Sequence, residues 1–366
     1  DLMAAAGVSF HMGREANSAY KETANGIVGP LDKHQFPVGV DPYVTRGDPD
    51  SGLLPLVNPS LGGAVGSADT KLQAYCYRLV LTDHPPNRVD IEKPAGYDPA
   101  DYELLFRAIE AGMTGDYFST DWMPNRKTDS NNKGGVSFDY IGANYGADWN
   151  WATLSHQQRA SLAKRHRDWQ LGLLWTLRRH PRVPQHIRAR LSKWGLARDE
   201  FADNDHTPYN LYVREARRMA SDFVMTERHC AGALPVTDPV GLGAYTLDSH
   251  HTQRIVAEGM VKNEGDVQIR LSTLGARMYG VSYRALTPRV QECENLLVPW
   301  ALSATHIAFG SIRMEPVFMI LGHTCGTAAA MSLDRGASVQ ALPYPELRAQ
   351  LLREGQRVDP LPPEQP

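Results

Sequence analysis

Cysteine is scarce in this sequence, and the few that occur exclude more than they suggest. Cys76, Cys230, Cys293 and Cys325 lie far apart in 366 residues and form no CxxC pair. Such spacing supports neither a zinc ribbon nor a dithiol redox motif, and buried structural thiols are expected. An excess of positive charge is missing as well: 38 Lys and Arg stand against 41 Asp and Glu, a formal charge of -3. Nothing here offers a polyphosphate backbone the cationic surface it needs. No apolar run approaches the roughly 20 residues that span a bilayer, and the first residues lack the charged start and apolar stretch of a signal peptide. Neither nucleic acid nor membrane is expected as a partner, and the compartment is not legible. Internal repeats are absent, and the one biased block is the Pro-rich end at 359–366, expected to be a mobile tail.

What is present is the composition of an ordinary globular chain, 42% hydrophobic and 22% charged, long enough for a large core in one large or two ordinary domains. Residues 22–66 are rich in Gly and Pro and predict loops wrapping a surface. The alternation over 70–82 predicts a strand. Helical spacing predicts helices over 99–111, over 154–179 before His180-Pro181, and over the Arg-rich stretch 209–229. Strands are expected over 243–256, near 267–271 and 279–285, and as a buried segment over 295–300. Residues 114–150 hold a long polar loop of the kind that is usually functional or disordered. The fold class expected is α/β of the mixed α+β kind: an antiparallel sheet with helices, then a strand-to-helix unit belonging to a second domain. Boundaries are placed at 1–66, 67–290, 291–340 and 341–366.

The most informative stretch runs from 303 to 331. Pro316 closes a polar loop and opens a helix, expected over 316–333, that is packed with Gly and Ala. A backbone of that kind can come close to a ligand and present free N–H groups to it. A further helix is expected over 344–354.

Several motifs then fall into a recognisable order: Gly13-Arg14-Glu15, Gln73-Ala-Tyr, Lys127-Thr-Asp-Ser-Asn-Asn132, Leu211-Tyr-Val-Arg-Glu-Ala-Arg-Arg218, Leu247-Asp-Ser-His-His251, Asn263-Glu-Gly265, Tyr283-Arg-Ala-Leu286, and Cys293-Glu-Asn-Leu-Leu-Val-Pro299 through Arg313-Met-Glu-Pro316. Together they resemble the FAD-dependent oxidoreductases of the glutathione-reductase-like fold, often seen among bacterial polysaccharide-utilising proteins, collinearly over nearly the whole chain. The resemblance implies FAD as cofactor. It also implies a first strand and GxGxxG turn cradling the pyrophosphate, and no GxGxxG occurs here. Asp1-Leu2 resembles the tail of a later cofactor-facing stretch, so an upstream nucleotide-binding segment or partner chain is expected. By resemblance, Asp1, Arg313, Glu315, Gly322, His323 and Gly326 lie near the flavin ring or support the loops around it, although the family commonly has Gln where His323 stands.

His306 can serve as general base or as a structural histidine. His250 and His251 are neighbours on an expected strand and point to opposite faces, so at most one can face a pocket. The same alternation works against a metal site built from Asp248, His250 and His251. Arg14 and Glu15 could bind a substrate carboxylate or hydroxyl, or form a surface ion pair. Tyr283 and Arg284 could present polar tips to the pocket. On an expected helix, Arg214 and Arg218 share a face and read as a solvated or domain-contact charge run. The function expected is hydride transfer from a hydroxyl-bearing, carbohydrate-derived substrate to flavin. Left open are a flavin-free carbohydrate-binding or lyase-like module and a scaffold for a partner chain.

Overall fold

The computed structural model describes residues 1–140 and 150–359; part of the long polar loop and nearly all of the expected tail lie outside those residues. The first of two large apolar cores gathers on the helix His156–Arg179. Ser155 opens it with a reciprocal cap: its Oγ accepts from the Gln158 backbone N–H at 3.3 Å while Gln158 Oε1 accepts from the Ser155 N–H at 2.9 Å. It ends at His180, which turns extended (ψ 134°) because Pro181 disfavours a helical residue before it. Trp169, Leu173, Leu174 and Leu177 form its buried stripe against Leu105 and Phe106 of the helix Glu103–Glu110. Beside them lies a five-stranded antiparallel sheet in the order Arg88–Val89, Gly195–Ala197, Leu79–Thr82, Lys127–Ser130, Asp121–Met123.

The second core joins small sheets to the C-terminal helices. Gln253–Ala257 lies between antiparallel Met260–Glu264 and parallel Val57–Asn58. Leu247–Ser249 pairs with Val267–Ile269, and Pro239–Gly243 with Tyr279–Ser282. Val240, Leu247 and Val281 from these strands meet Ile307 and Ile312 of the helix His306–Ile312 and Leu321 of the helix Glu315–Arg335. Helices with small, mostly antiparallel sheets make the mixed α/β class that was expected.

Four expectations are corrected. Residues 209–229 are not one helix: Arg218–Met219 pairs as a strand with Phe10–His11, and only Glu227–Cys230 is helical. The charges that mimic a solvated helix face are buried in long-range ion pairs, which tether the backbone elsewhere. Residues 295–300 form no strand, because Pro299 brings no N–H to a ladder; Val298 donates to the Leu286 carbonyl instead. No strand occurs within 291–340, so that unit is helix on helix. Of the strand expected over 70–82, only Leu79–Thr82 is regular, with Tyr75 and Cys76 in isolated bridges.

Glu315–Arg335 also departs from the expectation of no membrane-length apolar stretch. By length and composition it could cross a membrane, with a mean hydropathy of 1.3 in its most apolar window. Val317, Leu321, Thr324 and Ala328 are buried, while Met319 and Leu333 are exposed.

Candidate functional site

Two short turns set the geometry. The helix His306–Ile312 ends at Arg313, and one residue later Glu315 begins the next helix with Pro316 in its first turn. A fixed φ and a missing N–H suit that position, where the N–H has no helical partner. The bend aims Phe309, Arg313, Glu315 and Phe318 into a cleft of about 520 Å³, closed by Asp1, Tyr212, Arg214, Glu215, Arg217 and the turn Val298–Trp300. Its volume lies within the roughly 300–1,000 Å³ of small-molecule sites. Four arginines, 159, 214, 217 and 313, line it against Asp1, Glu215 and Glu315, so the lining carries a net positive charge. Asp1 bridges two of them, to Arg217 at 2.9 Å and to Arg159. Trp300 and Leu2 stand exposed at the rim.

Behind this wall lies a buried ionic network. Arg218, fully buried, bonds Glu15 at 2.7 Å and the carbonyls of Ala304 and Gly13, and its Nε stands 2.8 Å from Glu215 Oε1. Glu215 accepts from Gln73 at 2.9 Å and pairs with His306 Nδ1 at 2.7 Å, while His306 Nε2 lies 3.0 Å from Ser249 Oγ. A second branch starts at Arg313, whose Nη2 donates to Asp248 at 2.6 Å. Asp248 lies 3.6 Å from His250 Nε2, His250 Nδ1 meets Asp139 at 2.7 Å, and Asp139 contacts Arg214 at 2.9 Å. Gln73 ties the branches, since its Oε1 accepts from the His250 backbone N–H at 3.2 Å.

Burial raises a carboxylate's proton affinity, but these partners outweigh it. Arg218 and the His306 N–H hold Glu15 down at about 2; His306 and Arg218 lower Glu215; His250 and Arg313 lower Asp248. The cleft wall therefore carries stable negative charge one layer behind its arginines. An ionised Glu215 requires Nδ1–H on His306 and leaves Nε2 toward Ser249. Burial, Arg313 and Glu315 act together on the Tyr212 phenol, and its proton affinity is raised.

The family model described as FAD dependent oxidoreductase matches residues 1–351. The chain belongs to that family. This FAD dependent oxidoreductase is therefore an enzyme whose cofactor is FAD. No curated protein and no solved structure matches it.

In this oxidoreductase the expected site residues divide. Asp1, Arg313 and Glu315 line the cleft. His306, His250 and Glu15 stand behind it in the network, 2%, 7% and partly exposed. Gly322, His323 and Gly326 lie further along their helix on its exposed side, with His323 paired to Glu354 at 2.8 Å, and are not brought to the cleft. Arg14 is caged by Asp69 and Glu264, each at 2.6 Å, with all three guanidinium nitrogens bonded. Tyr283 donates to the Val339 carbonyl and Arg284 pairs with Asp238, both away from the cleft. His251 turns from His250 toward Asp266, 3.6 Å away. Among the described residues no three His, Cys, Asp or Glu side chains are grouped to hold a metal ion.

Sequence reasoning missed Glu215, Arg214, Asp139 and Asp248 as site residues. The signal was available in Leu211–Arg218: an Arg-Glu-x-Arg-Arg run inside an otherwise apolar neighbourhood is costly to bury unless its charges are paired.

Proposed function

We propose that the cleft beside Arg313 receives the isoalloxazine ring of FAD, and that the enzyme takes a hydride from a hydroxyl-bearing, carbohydrate-derived substrate. The carrying observation is a cationic cleft of ring-admitting size at the start of Glu315–Arg335, backed by carboxylates that burial does not neutralise. When bound, FAD supplies two-electron acceptance from a C–H bond. Arg313, Tyr212, Phe318 and Trp300 would hold the ring. The helix pole and arginines favour negative charge there, the pole contributing about 0.3–2 kcal/mol depending on burial. Oxidising an alcohol also releases the hydroxyl proton. The acceptor we assign to it is the Glu215–His306 pair just behind the cleft wall, where the carboxylate is ionised but wholly buried and His306 orients it and shares its charge.

These 366 residues lack the Gly-rich turn that cradles a dinucleotide pyrophosphate. We assign that half to an upstream segment or a partner chain, seated on the exposed apolar side of Glu315–Arg335 and the rim at Trp300. An absorbance spectrum with an intact mass of natively purified protein tests the assignment. Bound flavin is expected only with additional polypeptide, and anaerobic addition of sugars should bleach its visible band. Flavin absent both alone and with additional polypeptide would sink the cofactor placement; flavin that no sugar or sugar alcohol reduces would sink the substrate class.

A further inference from the structure

Arg254 sits mid-strand in Gln253–Ala257, opposite Asn263 on one side and Val57 on the other. It is 4% exposed. Among the described residues its guanidinium has no hydrogen bond and no ion pair, and Nε is sealed from solvent and unbonded. The ring of Phe36 lies 5.8 Å from the guanidinium carbon, and Tyr140 is close enough to act on the group electrostatically. Every other buried arginine of the network has a carboxylate: Arg14 has Asp69 and Glu264, Arg218 has Glu15, Arg313 has Asp248.

The surrounding charges do not balance it. Asp139 is close enough to act on Arg254 electrostatically but is matched by Arg214 and His250. Asp266 faces His34 at 2.7 Å and His251 at 3.6 Å and forms no ion pair with Arg254. His251, also near, is held neutral by burial, its proton affinity lowered to about 4, and its Nε2 is a buried atom without a hydrogen bond. A buried cation with five donors and no acceptor is costly, enough here for burial to lower Arg254 to about 10. The missing component is an acceptor with negative charge and two oxygens, the shape a guanidinium fork engages bidentately.

We infer that Arg254, beside Phe36 and His251, is the anchor of a binding site for a small oxyanion, a carboxylate or a phosphate. The inference is independent of the flavin placement. Because His251 is neutral at ordinary pH, the affinity for acetate, which stays a monoanion throughout, should be flat between about pH 6 and 8.

Calorimetric titration of the whole chain with sodium acetate and, separately, with inorganic phosphate tests it, using the wild type, Arg254→Met and Arg254→Lys. Saturable binding by the wild type is expected, at least tenfold weaker in Arg254→Met and intermediate in Arg254→Lys, which keeps the charge but loses the fork. Acetate alone binding names a carboxylate ligand; phosphate alone names a phosphate. Failure of both anions to bind the wild type overturns the inference, as does binding unchanged by both substitutions. Should Arg254→Met not fold, the wild-type titrations and Arg254→Lys decide.

Discussion

His306 Nδ1 and Glu215 Oε2 meet at 2.7 Å in a place closed to solvent, although 91 residues separate them in the chain. Glu215 belongs to the cleft wall and His306 does not, and since the Glu215 carboxylate is wholly buried, the pair sits behind that wall. Removing the carboxylate strands both His306 and part of the charge of Arg218. Glu215→Ala should cost on the order of 3–5 kcal/mol in urea unfolding, and Glu215→Gln less, because it keeps the hydrogen bonds while losing the charge. The pH dependence follows from direction. Folding lowers the proton affinity of Glu215, so its contribution is present above the ordinary carboxylate range and is lost as pH falls below it. An acid limb unchanged in Glu215→Gln would contradict this.

Arg313 carries two duties, lining the cleft and neutralising buried Asp248. Arg313→Met should therefore lose both stability and flavin, whereas Arg313→Lys should fold near normally. A point charge in place of the fork is expected to weaken flavin about tenfold, the loss of one charge-assisted bond. Flavin content per chain after purification with the nucleotide-binding half is the measurement. Wild-type content in Arg313→Met would remove the ring from this cleft.

Glu22 is the buried carboxylate that its neighbours do not rescue. Its Oε1 accepts from Thr305 Oγ and the Glu227 N–H, each at 2.7 Å, while Oε2 is sealed and unbonded. Burial first, then the charges of Glu15 and Glu227, raises its proton affinity to about 7. Below the ordinary carboxylate range both folded and unfolded states hold the proton and nothing is lost. As pH rises toward 7 the unfolded chain ionises first, and stability falls by on the order of 3 kcal/mol before levelling. Glu22→Gln should abolish that slope and be the more stable form at pH 8. Parallel wild-type and mutant curves of unfolding free energy between pH 5 and 8 would refute it.

What could be read in advance was local. The long helix His156–Arg179 announces itself through its Ser155 cap and His180-Pro181 stop. The start of Glu315–Arg335 is marked by Pro316, whereas His250 and His251, expected on a strand, lie between the strands Leu247–Ser249 and Gln253–Ala257 and diverge there through their separate carboxylate partners. The placement of Asp1, Arg313 and Glu315 together came from resemblance. The rest was long-range. Arg218 takes Glu15 from 203 residues away, and Arg214 takes Asp139 from a separate, distant stretch of the chain. No spacing within Leu211–Arg218 encodes those partners, so a run with helical charge periodicity reads as a solvated or domain-contact helix face. The ion-pair partner of Arg14 was illegible for the same reason: its cage includes Glu264, 250 residues away.

The close approach of the helix His306–Ile312 to the strand Leu247–Ser249 depends on Gly310. A methyl group there would stand 2.3 Å from the Asp248 carbonyl oxygen and 3.0 Å from its carbon, backbone atoms that cannot swing aside. Gly310→Ala must therefore push the helix off the strand. Overpacking of this kind costs about 1–3 kcal/mol. The displacement acts on function too, because His306 at one end of that helix reaches Ser249 and Arg313 at the other reaches Asp248. Gly322→Ala is the contrast, an exposed helical glycine whose added methyl meets nothing within 4 Å. There the alanine should be neutral or stabilise the isolated chain by up to about 1 kcal/mol through helix propensity. If another polypeptide covers that side of Glu315–Arg335, the same methyl should weaken its association. Thermal midpoints of both variants, with and without the nucleotide-binding half, separate the cases, and equal midpoints for Gly310→Ala and wild type would show that the contact is not the constraint on the site.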